Sequence, residues 1–434
     1  MTPNELEMSR PPTPKRDEAI AQTQRWNSPS INKWRLLSCC LTYFVNGISD
    51  SATGALIPYM EEQYDITYSI VSLIFVGQAI GFVVAAFFNN TTLHWIGRAK
   101  MLMIAEAILL LAYIILVCSP PYPLVVIAFF FLGYGAAMTL ALNNVFCANL
   151  DPSTAVLGAA HGSYGIGGIV APIAATAMVS RGIPWPRFYF IPLVLSVVCM
   201  ASSGYTFWSY IEYSQPTLPL LSEVERTATR QTAVEQAESK LHDLKLALKN
   251  RVTIFGALFI FAYQGAEVSI SGWVITFLIK YRGGDPASVG YVTAGFWGGI
   301  TMGRFVLTHF APKIGEKTYV VILILGTMAF QLLAWLIPNV IGNAVAVAII
   351  GLLLGPVYPC GQTIFARLLP RHVQTTAIGF IAGAGSSGGA VAPFTTGILA
   401  QAVGTYVLHP VCIAMYVVML ACWFALPRIR KRTE

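Results

Sequence analysis

The sequence predicts an all-α membrane protein in which twelve transmembrane helices form two parallel-repeat six-helix bundles around a central cavity. Three observations predict it: too little charge to wet a surface, twelve apolar runs of membrane-spanning length, and a repeat that recurs at a nearly constant offset.

Of 434 residues, 56% are hydrophobic and 11% are charged. A soluble globular chain carries about 25% charged residues. The shortfall excludes a secreted enzyme, a nucleic-acid binder and a disordered chain. Aromatics at 12% and 37 glycines suit a polytopic helical protein, where Trp and Tyr sit at interfaces and Gly permits close helix contact. The eight cysteines fall in or at the ends of apolar runs, with no CxxC pair, and read as small packing residues.

Residues 1–35 are polar and Pro-rich, and read as a disordered cytosolic tail. A span needs about 20 apolar residues. Runs of that order occur at 36–60, 68–90, 101–118, 123–148, 156–180 and 188–210, giving an N-terminal six-helix bundle over 36–210. A polar linker follows at 211–251, read either as a plain joining segment or as an amphipathic helix along the cytosolic face. Six further runs at 252–280, 286–310, 318–338, 343–368, 374–403 and 406–426 give the C-terminal bundle over 252–426, ahead of a basic cytosolic tail at 427–434.

Charge placement tests this topology. With both termini in the cytosol, 22 of the 27 Lys and Arg lie on the inner side. The outer loops hold Arg181, Arg187, Lys280 and Arg282, and Arg304 lies within a span. The first outer loop is acidic, with Glu61, Glu62 and Asp65. This is the positive-inside pattern. The net charge of +7 therefore reports topology and gives no sign of an anionic ligand.

The two halves repeat. Gly47, Gly77, Gly81, Phe87 and Gly97 each have an identical residue 218 positions later: Gly265, Gly295, Gly299, Phe305 and Gly315. The fifth and eleventh spans match at 221, with Gly162, Gly167, Gly168 and Pro172 recurring as Gly383, Gly388, Gly389 and Pro393. At 219, Asn143 and Phe146 meet Gln362 and Phe365. Six spans separate the halves, so they share one orientation, as in repeats related by an axis along the membrane normal. The GxGxxG of Gly383–Gly388 lies inside an apolar span without a βαβ unit, and reads as close helix packing.

The loop His94-Trp95-Ile96-Gly97-Arg98-Ala99-Lys100 is similar to the loop signature of the major facilitator superfamily. Gly97, Arg98 and Lys100 match, while His94 occupies the family's acidic position. Within that superfamily, Tyr263-Gln264-Gly265-Ala266-Glu267 and Gly272-Trp273 resemble the seventh span of the fucose-permease branch and related fungal permeases. The resemblance implies a gating role for His94, Gly97, Arg98 and Lys100. That branch commonly carries an acid in the fourth span. Here Met138–Asn144 has none.

Ionisable groups in hydrocarbon are expensive and mark function by default. Asp50 and Glu267 fall within roughly 5 Å of the midplane of their spans, at about 1.5 Å per residue. They occupy related places in the two halves and are the proton-coupling candidates. Glu106 sits nearer the cytosol and reads as structural, either pairing with Lys100 or snorkelling. Arg304 reads either as a gate ion-pair partner or as a snorkelling cation.

Neutral amides suit a polyhydroxy ligand, since each offers a donor and an acceptor. Asn46, Asn143, Asn144, Gln264 and Gln362 are the substrate-binding candidates of this kind. Tyr263, Trp273, Trp297 and Tyr358 could supply flat faces to a sugar ring. His161 near Tyr164 reads either as a proton relay or as a hydrogen-bonded packing residue. No catalytic constellation is present, and no cofactor or metal is expected.

The expectation is a monomeric, multi-pass secondary transporter in the lipid bilayer, of the plasma membrane or an internal one. It would move a small polar, sugar-like solute by alternating access with protons as partner, and would have no nucleic-acid partner. A proton-driven exporter of amphipathic compounds, an uncoupled facilitator and a non-transporting receptor or scaffold remain as alternatives.

Overall fold

A computed structural model describes residues 24–210 and 245–427. The linker stretch 211–244 and the two ends, 1–23 and 428–434, lie outside the described residues. Among the described residues there is no strand, only isolated bridges from Arg25 to Ser28 and to Asp151.

The first half consists of α1 (Ile31–Tyr64), α2 (Leu73–Ile96), α3 (Arg98–Val117), α4 (Tyr122–Ala148), α5 (Ser153–Val179) and α6 (Phe190–Phe207). The second consists of α7 (Arg251–Lys280), α8 (Val292–Val306), α9 (Glu316–Leu336), α10 (Val340–Leu368, broken at Gly355-Pro356), α11 (Arg371–Val403) and α12 (Leu408–Ala425). Ten of these runs are long and apolar enough to cross a membrane. The other two are α1, which is too polar along its length, and α8, which has only 15 helical residues between short helical turns. Polarity in α1 follows from its position. More than half of its residues are buried among other helices, so a lipid-facing apolar surface is not required of it.

α1 begins at Ile31, inside the stretch expected to be tail. Just before it, Gln24 and Trp26 exchange backbone hydrogen bonds with Asp151 in the α4–α5 loop.

The repeat seen in the sequence is a repeat of packing. Gly47 lets α1 approach the backbone of α5 at Tyr164 and Gly168, and Gly265 lets α7 approach α11 at Gly388 and Ala392. A methyl group at any of these contacts would overlap its neighbour, the behaviour of small-residue helix pairs. Gly388, inside the GxGxxG sequence, lies against the Phe261 backbone within α11, which settles that motif as helix packing. Gly97 and Gly315 carry φ of 78° and 96° at the starts of α3 and α9. Only glycine holds that conformation cheaply. Pro172 and Pro393 sit inside α5 and α11 at matching positions, each removing one helical hydrogen bond.

We call the face where α1 begins the near face, and its opposite the far face. The halves meet at the far face. Gly54 of α1 packs on the backbone of Ser271 and Gly272 in α7, and Phe75 of α2 reaches Gly272. Gly397 of α11 lies against Ser72 and Trp273, and Tyr68 N–H donates to Gln401 Oε1 at 3.1 Å. Toward the near face, Gly158 of α5 and Gly379 and Gly383 of α11 have open space where a side chain would sit. The cleft between the halves is closed at the far face, and α5 and α8 still touch farther toward the near face, where Phe305 lies against Gly162.

Candidate functional site

Two acids face the cleft from matching helices. Asp50 of α1 is half-buried. Its Oδ1 accepts from Gln78 Nε2 of α2 at 2.7 Å, and its Oδ2 accepts from the Tyr164 hydroxyl of α5 at 2.6 Å. Both donors are neutral, and among the described residues no ion pair reaches Asp50. Glu267 of α7 is buried and pairs with the Arg304 guanidinium of α8 at 3.5 Å. The two carboxyls thus differ in kind. One is held by short hydrogen bonds from neutral donors, the other by a longer contact with a formal counter-charge.

Arg304 was expected toward the cytosolic end of its span. It reaches Glu267 because helical side chains tilt toward the N-terminus of their own helix. α8 runs from the far face to the near face, so that tilt carries the guanidinium back toward the middle.

An aromatic contact joins the two half-sites. The Tyr164 ring lies 6.1 Å from that of Trp297, whose Nε1 donates to Ser271 Oγ at 2.9 Å. The Trp297 side chain also covers Gly168. Tyr263 is one turn before Glu267 and its ring is 5.6 Å from Tyr358. Its buried hydroxyl lies against the Glu267–Arg304 pair.

The amides form two sets related by the repeat. Asn46 Nδ2 donates to Thr139 at 3.1 Å, and its Oδ1 has no partner. Asn143 is buried with neither amide atom bonded, and Gln362 Oε1 is likewise unpartnered. Asn144 accepts from the Tyr43 hydroxyl at 2.5 Å, and the Tyr43 ring contacts His161 at 5.1 Å. Gln264, half-buried, lies beside Gly385.

Trp273 stands apart. It is buried in the far-face contact, with Nε1 donating to Pro393 O at 2.9 Å and its ring 5.9 Å from Tyr68. The structure does not bring it to the acids. Of the loop residues, Arg98 is buried within its own half, donating to Leu142 O at 2.5 Å and lying 5.3 Å over the Tyr210 ring. Lys100 is exposed, Gly97 holds the turn, and the His94 side chain lies outside what is described.

Glu106 neither pairs with Lys100 nor snorkels. It is 1% exposed, and its Oε1 accepts from Thr42 of α1 at 3.2 Å. Reading the sequence also passed over Gln78 as a site residue and cited Tyr164 only as a neighbour of His161. Gln78 had a signal, since it is an amide in an otherwise apolar run.

The comparisons with known proteins agree with this architecture. A family model described as Major Facilitator Superfamily matches residues 39–393 and 267–434. The chain is 25% identical over 425 residues to Bypass of stop codon protein 6 of Saccharomyces cerevisiae, covering 93% of this chain and 84% of that one. It is 22% identical over 361 residues to the glucose/mannose transporter GlcP of Bacillus subtilis, covering 82% and 85%. A solved D-xylose-proton symporter shares the fold with a TM-score of 0.70 at 13% identity, covering 90% of this chain and 96% of that one. The chain belongs to the Major Facilitator Superfamily and is a multi-pass membrane transporter.

Proposed function

We propose that the protein moves a small polar, sugar-like solute by alternating access, coupled to protons. The observation that carries this reading is the arrangement of Asp50, Tyr164 and Trp297: a carboxyl held by neutral donors, one of which is the side chain that touches the other half. When Asp50 is ionised, both oxygens can accept. When it is protonated on Oδ2, that oxygen becomes a donor and the Tyr164 hydroxyl turns to accept. The proton on Asp50 thus sets the hydrogen bond of the side chain that touches Trp297 of the other half.

Asp50 carries the proton. The Glu267–Arg304 pair senses the bound state, since its strength depends on how dry the cleft is. Asn46, Asn143, Asn144, Gln264 and Gln362 bond the solute hydroxyls, and Tyr263, Tyr358 and Trp297 supply flat faces. The unpartnered amide atoms of Asn46, Asn143 and Gln362 support this, because buried polar groups without partners are rare in a resting protein. The name of the Bacillus subtilis relative, a glucose/mannose transporter, supports a sugar. The near face is the cytosolic one on the distribution of Lys and Arg, and His94, Gly97, Arg98 and Lys100 form its gate. The protein works as a monomer in the plasma membrane.

Uptake by proteoliposomes tests the reading, across a panel of hexoses, pentoses and sugar acids, with and without an imposed pH gradient. Gradient-stimulated accumulation of a sugar is expected. Movement of no solute sinks transport of this class, and movement indifferent to the gradient sinks coupling.

A further inference from the structure

The interior of the N-terminal half holds an acid that the cleft mechanism does not use. Glu106 of α3 is 1% exposed, and its Oε2 has no partner. The buried Ser196 Oγ of α6 lies beside this carboxyl, close enough to share a hydrogen bond with it. The ionisable groups facing Glu106 are Cys199 of α6 and Tyr113, two turns further along α3. From α1 it meets Thr42, and one turn on, Asn46 is bonded to Thr139 of α4. Among the described residues no Lys, Arg or His forms an ion pair with it. An ionised Glu106 has only two neutral hydroxyls, those of Thr42 and Ser196, to hold its charge. A protonated one needs no counter-charge and can donate to Ser196, whose hydroxyl also accepts.

Hydroxyl groups are spaced along the α1–α6 seam from the near face toward this carboxyl. Between α1 and α6, at the near face, lies an open groove of about 660 Å³ whose walls are mainly apolar, with Trp34, Leu37, Leu41 and Val198, and whose hydroxyls include those of Ser38 and Ser202. At its floor Ser38 Oγ lies 3.0 Å from Ser202 Oγ and 3.1 Å from Ser203 Oγ. Ser38 is one turn before Thr42 on α1, about 6 Å along the axis. Cys199 and Ser196 continue the same direction along α6. On the other side, Ser49 bonds the Tyr113 hydroxyl at 2.8 Å, next in sequence to Asp50.

We propose that Glu106 is a second, exchangeable proton-binding site of the N-terminal half, reached from the near face along the α1–α6 seam through Ser38, Ser202 and Thr42. Under the coupled reading above, on which this use of the site rests, the half carries one proton at Asp50 and another at Glu106. The two sites communicate through Tyr113, and protons reach Glu106 without crossing the solute cleft.

Infrared spectroscopy of the reconstituted full chain tests the site without substrate or gradient. In a pH titration, the wild type is expected to show a protonated-carboxyl stretch that Glu106→Gln removes and that Asp50→Asn leaves in place. Glu106→Asp, which keeps a carboxyl, should restore a shifted band and guards against a folding defect in the glutamine variant. With Ser38→Ala and Ser202→Ala combined, the band's midpoint should hold while its hydrogen–deuterium exchange slows about tenfold, as expected for lost hydrogen bonds along a path. A spectrum that Glu106→Gln leaves unchanged, or a Glu106 band that never titrates, overturns the site. Exchange as fast as wild type in the serine variant overturns the route. Because these readouts need no transport, gradient-indifferent uptake with an intact titrating Glu106 band rejects the coupling reading alone.

Discussion

Tyr164 donates its hydroxyl to Asp50 at 2.6 Å, and so a residue of α5 completes the site of an acid on α1, 114 positions earlier. Removing that donor with Tyr164→Phe leaves the ring and its contact with Trp297. A hydrogen bond to a charged group contributes about 1.5–3 kcal/mol, so gradient-driven uptake should fall about 10- to 100-fold. Solute exchange with equal pH on both sides should be much less affected. Parallel uptake and counterflow assays check the difference, and equal loss in both would refute a role in coupling. Asp50→Asn should show the same split more severely.

Glu267 and Arg304 should behave as a unit. Glu267→Gln leaves a guanidinium without its partner in a largely dry site. Losing one member of a fully buried pair costs about 3–5 kcal/mol. Arg304 retains 28% side-chain exposure, so a smaller loss is expected. Each single variant should lower the midpoint of thermal unfolding in detergent, and the double variant with Arg304→Gln should recover part of it. Additive losses would show that the pair is not coupled.

Closure of the far face depends on Gly54. A side chain there meets the Ser271 carbonyl, which is backbone and cannot swing away. Gly54→Leu should therefore hold the far face apart. A cysteine at position 401 should become more reactive to an impermeant thiol reagent, and one at position 379 less so. Unchanged labelling at both would mean that the helices part without reference to this contact.

The far face should also respond to pH. Glu61 lies just past the end of the first apolar run, and burial pushes its carboxyl up from 4.5 to about 8, with Lys280 of α7 pulling the other way. Tyr68 and Tyr122 also face it. The closed form therefore binds this proton more tightly than an open, wetted form. Below about 4.5 the group is protonated in both forms and closure carries no penalty. Between there and about 8 closure weakens as pH rises, and above about 8 the penalty is complete. Thiol labelling at position 401 should rise across that window, and Glu61→Gln should flatten the response. A profile unchanged by Glu61→Gln would place the titration elsewhere.

The spans and their duplication are legible in the sequence because both follow from local composition. Length, hydropathy and glycine spacing need no knowledge of which helices touch. Asp50 and Glu267 are legible for the same reason, as charges where charge is expensive. Their partners are not. Gln78 and Arg304 lie 28 and 37 positions away from Asp50 and Glu267. Only the packing of α2 on α1 and of α8 on α7 brings them together. Trp273 misled for a related reason: an aromatic beside a glycine serves equally well in a cleft or in a helix contact, and the structure uses it in the contact. Glu106 misled because Lys100 is near in sequence, while the actual partner, Thr42, is near only in space.

The polarity of α1 bears on how the chain enters the bilayer. The translocon samples helices in order of synthesis, and an Asp at the centre of a lone helix costs about 2.5–3.5 kcal/mol on the insertion scale. A helix that carries this Asp thus gains little from lipid by itself. What holds it is supplied later: Thr139 on α4 for Asn46, and Tyr164 on α5 for Asp50. Residence of α1 in the membrane is a delayed, cooperative event, complete only after the fifth helix has been made. Truncated nascent chains should show α1 slipping in and out until that point.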